Sequence, residues 1–379
     1  MKTARIRIVV LTALIAVLLF FAFQRNVLDG VSSRMTAARG LSILRNVMYL
    51  IRHDYIEERD PGRTADGAFK GLVNSLDSLS SYLDRELTSK LLERSRHRMD
   101  PGLVLNKKYG NFPQVAGVIP GSPAEKAGIL PGDLLSAVDD RPTLSMSLTE
   151  IRLHLKGADA SPVKFRILRG TATLEKTVKR AELFADPFDF EPLPGSSAIL
   201  RIRHLFPPLT EQVRTDILDD LKALSGYLIL DLRNCHEGDL RETLAFLNLF
   251  HQSETIGWME KKGGEKDILG SPEKSDLPGI PLAVWVNSGT MGPAEGLAAV
   301  LQESRGARLI GTPTPGLFAL TEIFPLPDES AVLLTAGIFV PFSGRTLWEK
   351  GLSPDAVCES EKPGDDDYLK KTKPFFSEH

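Results

Sequence analysis

From Leu44 the chain places Leu44, Val47, Met48, Ile51 and Tyr55 at three- and four-residue spacing, the period of an amphipathic helix. Pro61-Gly62 interrupts this pattern. A second apolar face, Ala65, Phe69, Leu72, Val73 and Leu76, predicts another helix, and together they predict a small helical module ending near Arg98. Between Gly102 and about Arg180 the period shortens. LVL, VAGVI, DLLSAV, VKFRIL and LEKTV read as strands punctuated by Gly121, Gly128, Gly132 and Gly170, with one helical run from Leu148 to Leu155. From Ala198 strands and helices alternate. AILRI, GYLILDL, PLAVWV and ARLIG are strand-like, and Glu211–Leu224, Leu240–Phe250 and Pro293–Glu303 are helical. Strands this continuously apolar are buried on both faces, so the pattern predicts an α/β fold built on a parallel or mixed sheet. AVLLTA and IFVPF then read as two hairpin-like strands, and the proline-broken, charged tail from Glu359 predicts loose order.

The N-terminus changes the picture. Lys2, Arg5 and Arg7 precede an uncharged apolar run from Ile8 to Phe23, closed by Gln24 and Arg25. Positive charge ahead of such a run implies export with the N-terminus left in the cytoplasm. The run ends in Phe20, Phe21 and Phe23 rather than in the small residues a signal peptidase needs, so an uncleaved membrane helix is preferred to a removed signal peptide. The expected location is the inner (cell) membrane, single-pass, with the bulk of the chain periplasmic or otherwise extracytoplasmic.

Composition narrows the function classes. The 379 residues carry a net charge of −3, which gives no basic footprint for nucleic acid. The locally basic KLLERSRHR stretch reads as a solvated helix face. Cys235 and Cys358 are isolated, and the seven histidines lack ligand spacing, so no metal or other cofactor is implied. In an exported protein the two thiols are able to pair, although two half-buried free thiols are the plainer reading.

The stretch VAGVIPGSPAEKAGILPGDLLSAVDDRP, with Gly121-Ser122-Pro123-Ala124, Ala127-Gly128-Ile129 and Gly132-Asp133, resembles PDZ domains of bacterial exported peptidases. The resemblance implies capture of a polypeptide C-terminus by strand addition, the terminal carboxylate held by backbone N–H groups. The carboxylate loop falls on Pro101, Gly102, Leu103, Val104 and Leu105, and the facing helix would bring Ile151, His154 and Leu155 to the side-chain pocket. Gly102 suits such a loop because successive N–H groups demand unusual backbone angles. The bland alternative is a PDZ fold kept as a spacer or lid.

YIEERDPGRTADGAFKGLVNSLDSLSSYLD, GYLILDLRN and TAGIFVPFSGRTLWEKGLSPDAV complete a resemblance, over about residues 41–358, to the carboxyl-terminal processing (tail-specific) serine peptidases. It implies a PDZ β-rich module inserted between an N-terminal helical segment and an α/β, ClpP/crotonase-like core. The expected boundaries are 1–29 for the membrane helix, 30–98 for linker and helical module, 99–184 for the PDZ domain, 185–358 for the core and 359–379 for the tail.

The family uses a serine nucleophile, a buried lysine held neutral as base, and a glutamine one turn on. Its nucleophile lies in N-x-G-S-A-S-A-S-E. This chain reads Asn287-Ser288-Gly289-Thr290-Met291-Gly292-Pro293-Ala294-Glu295, which sets Gly292 in the serine's place. In the G-x-x-T-x-G-K stretch it reads Gly311 to Leu317, so Leu317 stands for the lysine, and Thr321 stands for the glutamine. The oxyanion loop R-N-N-P-G-G becomes Arg233-Asn234-Cys235-His236-Glu237-Gly238, keeping only Gly238, and a carboxylate at Glu237 would oppose an oxyanion. Thr290 with His236, or Cys235 with His236, are the conceivable substitutes. The expected function is therefore a membrane-anchored, non-hydrolytic homologue that binds polypeptide C-terminal tails or an active peptidase homologue, with a homo-oligomer possible. An active serine-type endopeptidase using substitute residues, and a purely structural assembly subunit, are the rivals.

Overall fold

The computed structural model describes residues 39–93, 99–183, 186–360 and 364–376. The apolar run Ile8–Phe23 and nearly all of the linker after it lie outside these residues. Among the described residues no helix is long and apolar enough to cross a membrane. The chain divides into two compact units, Met1–Ala68 and Phe69–His379. In the first, residues 39–54 are helical and expose Leu41, Val47 and Leu50.

The core of the second unit is a six-stranded sheet in the order Phe188–Leu193, Ser197–Ile202, Leu228–Asp231, Leu282–Val286, Arg308–Gly311, Ala356–Val357. The first pair is antiparallel and the rest are parallel. LILD and LAVWV are buried at every position because both faces are covered. One face packs on the helices Leu240–Asn248 and Pro293–Arg305 through Leu228, Leu230, Val284, Phe246 and Leu297. The other packs Ile199, Ile229, Trp285 and Ile310 against Tyr368. Cys235 belongs to the first face and Cys358 to the second, and both thiols are free.

The tail departs from the loose order expected of it. Asp365–Thr372 is a helix, with three aspartates in its first turn and Lys370 and Lys371 in its last, each end complementing the helix dipole. Tyr368 is 1% exposed and donates to Val286 O at 3.1 Å, while Trp285 Nε1 donates to Thr372 Oγ1 at 2.9 Å. AVLLTA and IFVPF also differ from expectation. They form one strand, Ala331–Pro341, which pairs antiparallel with Ala319–Pro325, Ser253–Lys261 and Ser81–Leu83 in a second sheet. Gly337 sits inside that strand, pairing with Leu320 and Lys261, rather than at a turn.

The PDZ module is an antiparallel sheet in the order Leu103–Asn106, Gln114–Val118, Leu134–Val138, Pro162–Arg169, Ala172–Lys179. The helix Leu148–Leu155 packs on it, N-capped by Ser147, whose hydroxyl accepts from Glu150 N. Met99–Asp100 pairs with Ala181–Glu182, which brings the two ends of the module side by side. Leu153 turns the opposite way from the module's core and packs with Leu83 and Leu87.

Candidate functional site

The strand Leu282–Val286 ends in a turn that leads directly into the helix Pro293–Arg305. Gly292 is its last non-helical residue, with φ 59° and ψ −127°. A side-chain-bearing residue adopts those angles only under strain, and this is the sharp strand-to-helix turn on which a nucleophile is presented. A Cβ added at Gly292 would meet only Leu317 O, at 3.9 Å, so the space for a side chain persists although none is there. The next residue is Pro293, which has no N–H and so gives the helix start one fewer donor for an oxyanion. The sequence showed this too, but the proline reads there only as a favourable first helical residue.

Glu295 ties the site together. Its buried carboxylate accepts from Gly292 N at 3.0 Å, Gly316 N at 2.6 Å, Leu317 N at 2.7 Å and Thr314 Oγ1 at 2.6 Å. Burial raises its carboxyl above the ordinary range, against the pull of these bonds. The clamp thus fixes the segment that the resemblance assigns to the base beside the turn assigned to the nucleophile. Leu317, 6% exposed, puts an apolar side chain where the resemblance sets the base. Thr321 lies on the strand Ala319–Pro325, opposite Thr335, and its hydroxyl makes no hydrogen bond among the described residues.

The two conceivable substitutes are otherwise engaged. Thr290 is fully buried; its hydroxyl donates to Leu232 O at 2.8 Å and accepts from Asn287 N at 3.0 Å. His236 Nδ1 donates to Asn234 O at 2.9 Å. Burial, opposed by Glu237 and reinforced by Arg152 and Lys156, lowers its pKa to about 4 and keeps the ring neutral near pH 7. Burial, with Asp231 and Glu237, pushes the Cys235 thiol well above its usual range, the reverse of what a thiolate nucleophile needs. Gly238 is held in place by its neighbours, since Leu205 N donates to Glu237 O at 2.9 Å and Asp239 N to Leu205 O at 2.8 Å. Among the described residues no group of His, Cys, Asp and Glu is arranged to hold a metal ion.

The PDZ module lies directly against this turn. Ser288 Oγ donates to Ala116 O at 2.7 Å and Asn234 Nδ2 to Val118 O at 3.3 Å. A Cβ at Gly117 would fall 1.9 Å from Asn234 Oδ1, so contact this close requires glycine. Met291 and Leu317 join Leu103, Val104, Leu105, Ile151 and Leu155 in one hydrophobic cluster, so the expected peptide-binding residues are buried together with the expected base position. Gly102 has φ +96°, as its loop requires. Ile151 and Leu155 point into the module's own core, and His154 receives the Arg141 guanidinium at 3.1 Å. The helix flank that reaches the peptidase core carries Arg152, whose Nη2 lies 3.7 Å from Met291 Sδ, and Lys156, which pairs with Glu237. Sequence periodicity did not single out these two cations.

A cavity of about 760 Å³ opens between Ala116–Pro120 and the carboxyl ends of the parallel strands, where open α/β sheets bind ligands. In its lining Arg233 bonds Asp231 and Asp365 and stacks on Trp285 and Tyr368.

Similarity to known proteins follows this geometry. Residues 198–358 match the model of peptidase family S41 and residues 114–169 that of the PDZ domain. The chain is 30% identical over 377 residues to the carboxy-terminal processing protease CtpA of Bacillus subtilis, covering 98% of this chain and 80% of the relative. It is 24% identical over 369 residues to a probable CtpA-like serine protease of Staphylococcus aureus, covering 96% and 73% of the two chains. In fold it resembles the photosystem II D1 C-terminal processing protease, with a TM-score of 0.68 and 22% identity over 86% of this chain and 90% of that one. With identity sustained across both domains, the chain belongs to the carboxyl-terminal processing peptidases of family S41, built on a mixed α/β core with a PDZ domain.

Proposed function

We propose that this chain is a hydrolytically silent member of its family that binds polypeptide C-terminal tails through its PDZ module. The observation that carries the reading is Gly292: the strained turn is kept, the space beside it is kept, and the nucleophile is missing. Leu317 in the base position and Pro293 in place of an N–H donor remove the two other contributions to peptide hydrolysis. Loss of a nucleophile alone lowers turnover by several orders of magnitude. Tail binding is supported by the place of Leu103–Asn106 at the edge of the PDZ sheet, where it pairs with Gln114–Val118 on one side and with no strand on the other among the described residues. The proposal includes a single-pass anchor at Ile8–Phe23, extracytoplasmic placement of the rest, and an active peptidase homologue or a second copy as further partners.

The test is turnover and binding by the purified chain on a peptide with an apolar C-terminus. The expected result is saturable binding of the free-acid peptide with no cleavage product. Cleavage lost on Thr290→Ala or His236→Ala would overturn the reading in favour of an active peptidase with substitute residues. Association with an active homologue but no peptide affinity would instead favour a structural subunit.

A further inference from the structure

The Lys156–Glu237 pair joins two places that the rest of the fold explains separately. Lys156 caps the C-terminal end of the PDZ helix. Gly157 exchanges hydrogen bonds with Met99, at 2.9 and 3.1 Å, which sets that helix end beside the loop opening at Pro101. Asp100 closes the same corner, accepting from Gly102 N at 2.7 Å. Lys156, Glu237 and Arg152 all act electrostatically on Asp100, so the four charges form one cluster at the carboxylate-binding end of the groove. Glu237 enters it from the peptidase core, from the loop position where family members carry a glycine. Its side chain is only 19% exposed. Burial alone would raise its pKa, but Lys156, His236 and Arg152 hold it down to about 2, so the buried side chain is a carboxylate.

We propose that Glu237 is an internal stand-in for a ligand's terminal carboxylate, held by Lys156 and Arg152 at the place where a bound tail would present its own. The inference rests on the reading of this groove as a tail site. Charge balance argues for competition between the two. The corner holds two carboxylates, Asp100 and Glu237, and two cations, Arg152 and Lys156. A tail that replaces Glu237 leaves this balance unchanged, whereas a tail added beside Glu237 sets a third anion against the same two cations. A tail therefore binds by displacing Glu237, and that displacement breaks the ion pair holding the PDZ module to the oxyanion loop. The substituted oxyanion loop has exchanged a catalytic part for a self-ligand that sets the threshold for tail binding.

The experiment measures the affinity of the full-length chain for a fluorescent peptide ending in apolar residues, as the free acid and as the C-terminal amide. Glu237→Gln keeps the shape and removes the charge. It is expected to tighten free-acid binding by roughly tenfold, within the range that close interfacial charge pairs command. Lys156→Gln is expected to erase the preference for free acid over amide. Equal affinity in the parent and in Glu237→Gln and Glu237→Ala, with the free acid still preferred, would overturn the self-ligand while leaving the tail site standing. Failure of the parent and of both Glu237 variants to bind either peptide, with unchanged thermal unfolding, would overturn the tail site and this inference with it.

Discussion

At the scale of single residues, the proposed loss of hydrolysis rests on positions whose backbone keeps a strained strand-to-helix turn where the resemblance sets a nucleophile. Gly292 holds φ 59° and ψ −127° at no cost, where an L residue is strained by about 1–3 kcal/mol. Gly292→Ser is thus expected to fold with stability lower by about that amount, read from the denaturant midpoint. Gly292→Ser with Leu317→Lys restores nucleophile and base, yet Pro293 still withholds an N–H. The triple variant with Pro293→Ala is expected to exceed the double variant in peptide turnover by ~10²-fold, the usual worth of one oxyanion donor. Equal turnover in the two would show that position 293 contributes no donor. Register alone made Gly292 and Leu317 legible in the sequence, because Asn287, Gly289 and Glu295 fix the first alignment without a gap and Gly311, Thr314 and Gly316 fix the second. Glu237 was legible only as an anion unfit for an oxyanion loop. Its partner Lys156 lies 81 residues away, and only folding brings them together.

Elements were legible where one period dominated. The two fully buried strands and the helix Pro293–Arg305 each carry an unmixed signal, and each lies where the pattern predicts. The tail helix failed that test because its composition is that of a solvated segment. Only Tyr368 and Thr372 are buried, and they dock on partners far along the chain. The pattern divides Ala331–Pro341 into two strands at Gly337, whereas pairing on both sides carries the backbone straight through. Tyr368 stacks against the Arg233 guanidinium at 4.5 Å and tilts on Trp285 at 5.1 Å. Tyr368→Ala removes that packing along with the bond to Val286 O, and is expected to cost about 3–5 kcal/mol, as for other large buried aromatics. The measurement is chemical denaturation of the variant beside Tyr368→Phe, which keeps the ring and is expected to lose only ~1 kcal/mol. Equal losses in the two would show that the hydroxyl, not the packing, fastens the helix.

Across the whole molecule, stability should depend on pH through histidines held neutral. His236 and His154 are each lowered to about 4 from the ordinary 6.5, chiefly by burial. Near neutral pH both are unprotonated whether folded or not, so their environment costs nothing. As pH falls below about 6.5 the unfolded chain takes up protons that the folded chain refuses until about pH 4, so stability drops through that window. Asp100 acts in the opposite sense. Burial, partly offset by Lys156, raises its pKa to about 6 from 3.8, so between those values the folded state is the one that gains a proton. His251, also lowered by burial, adds to the loss, and Glu295, raised by burial, adds to the offset that Asp100 provides. The unfolding midpoint measured in urea at half-unit pH steps is expected to fall from pH 6.5 to about 4. His236→Gln, which removes the histidine buried beside Glu237, is expected to flatten the fall. A slope unchanged by that substitution would show that His236 titrates freely, against the burial of its ring beside Glu237.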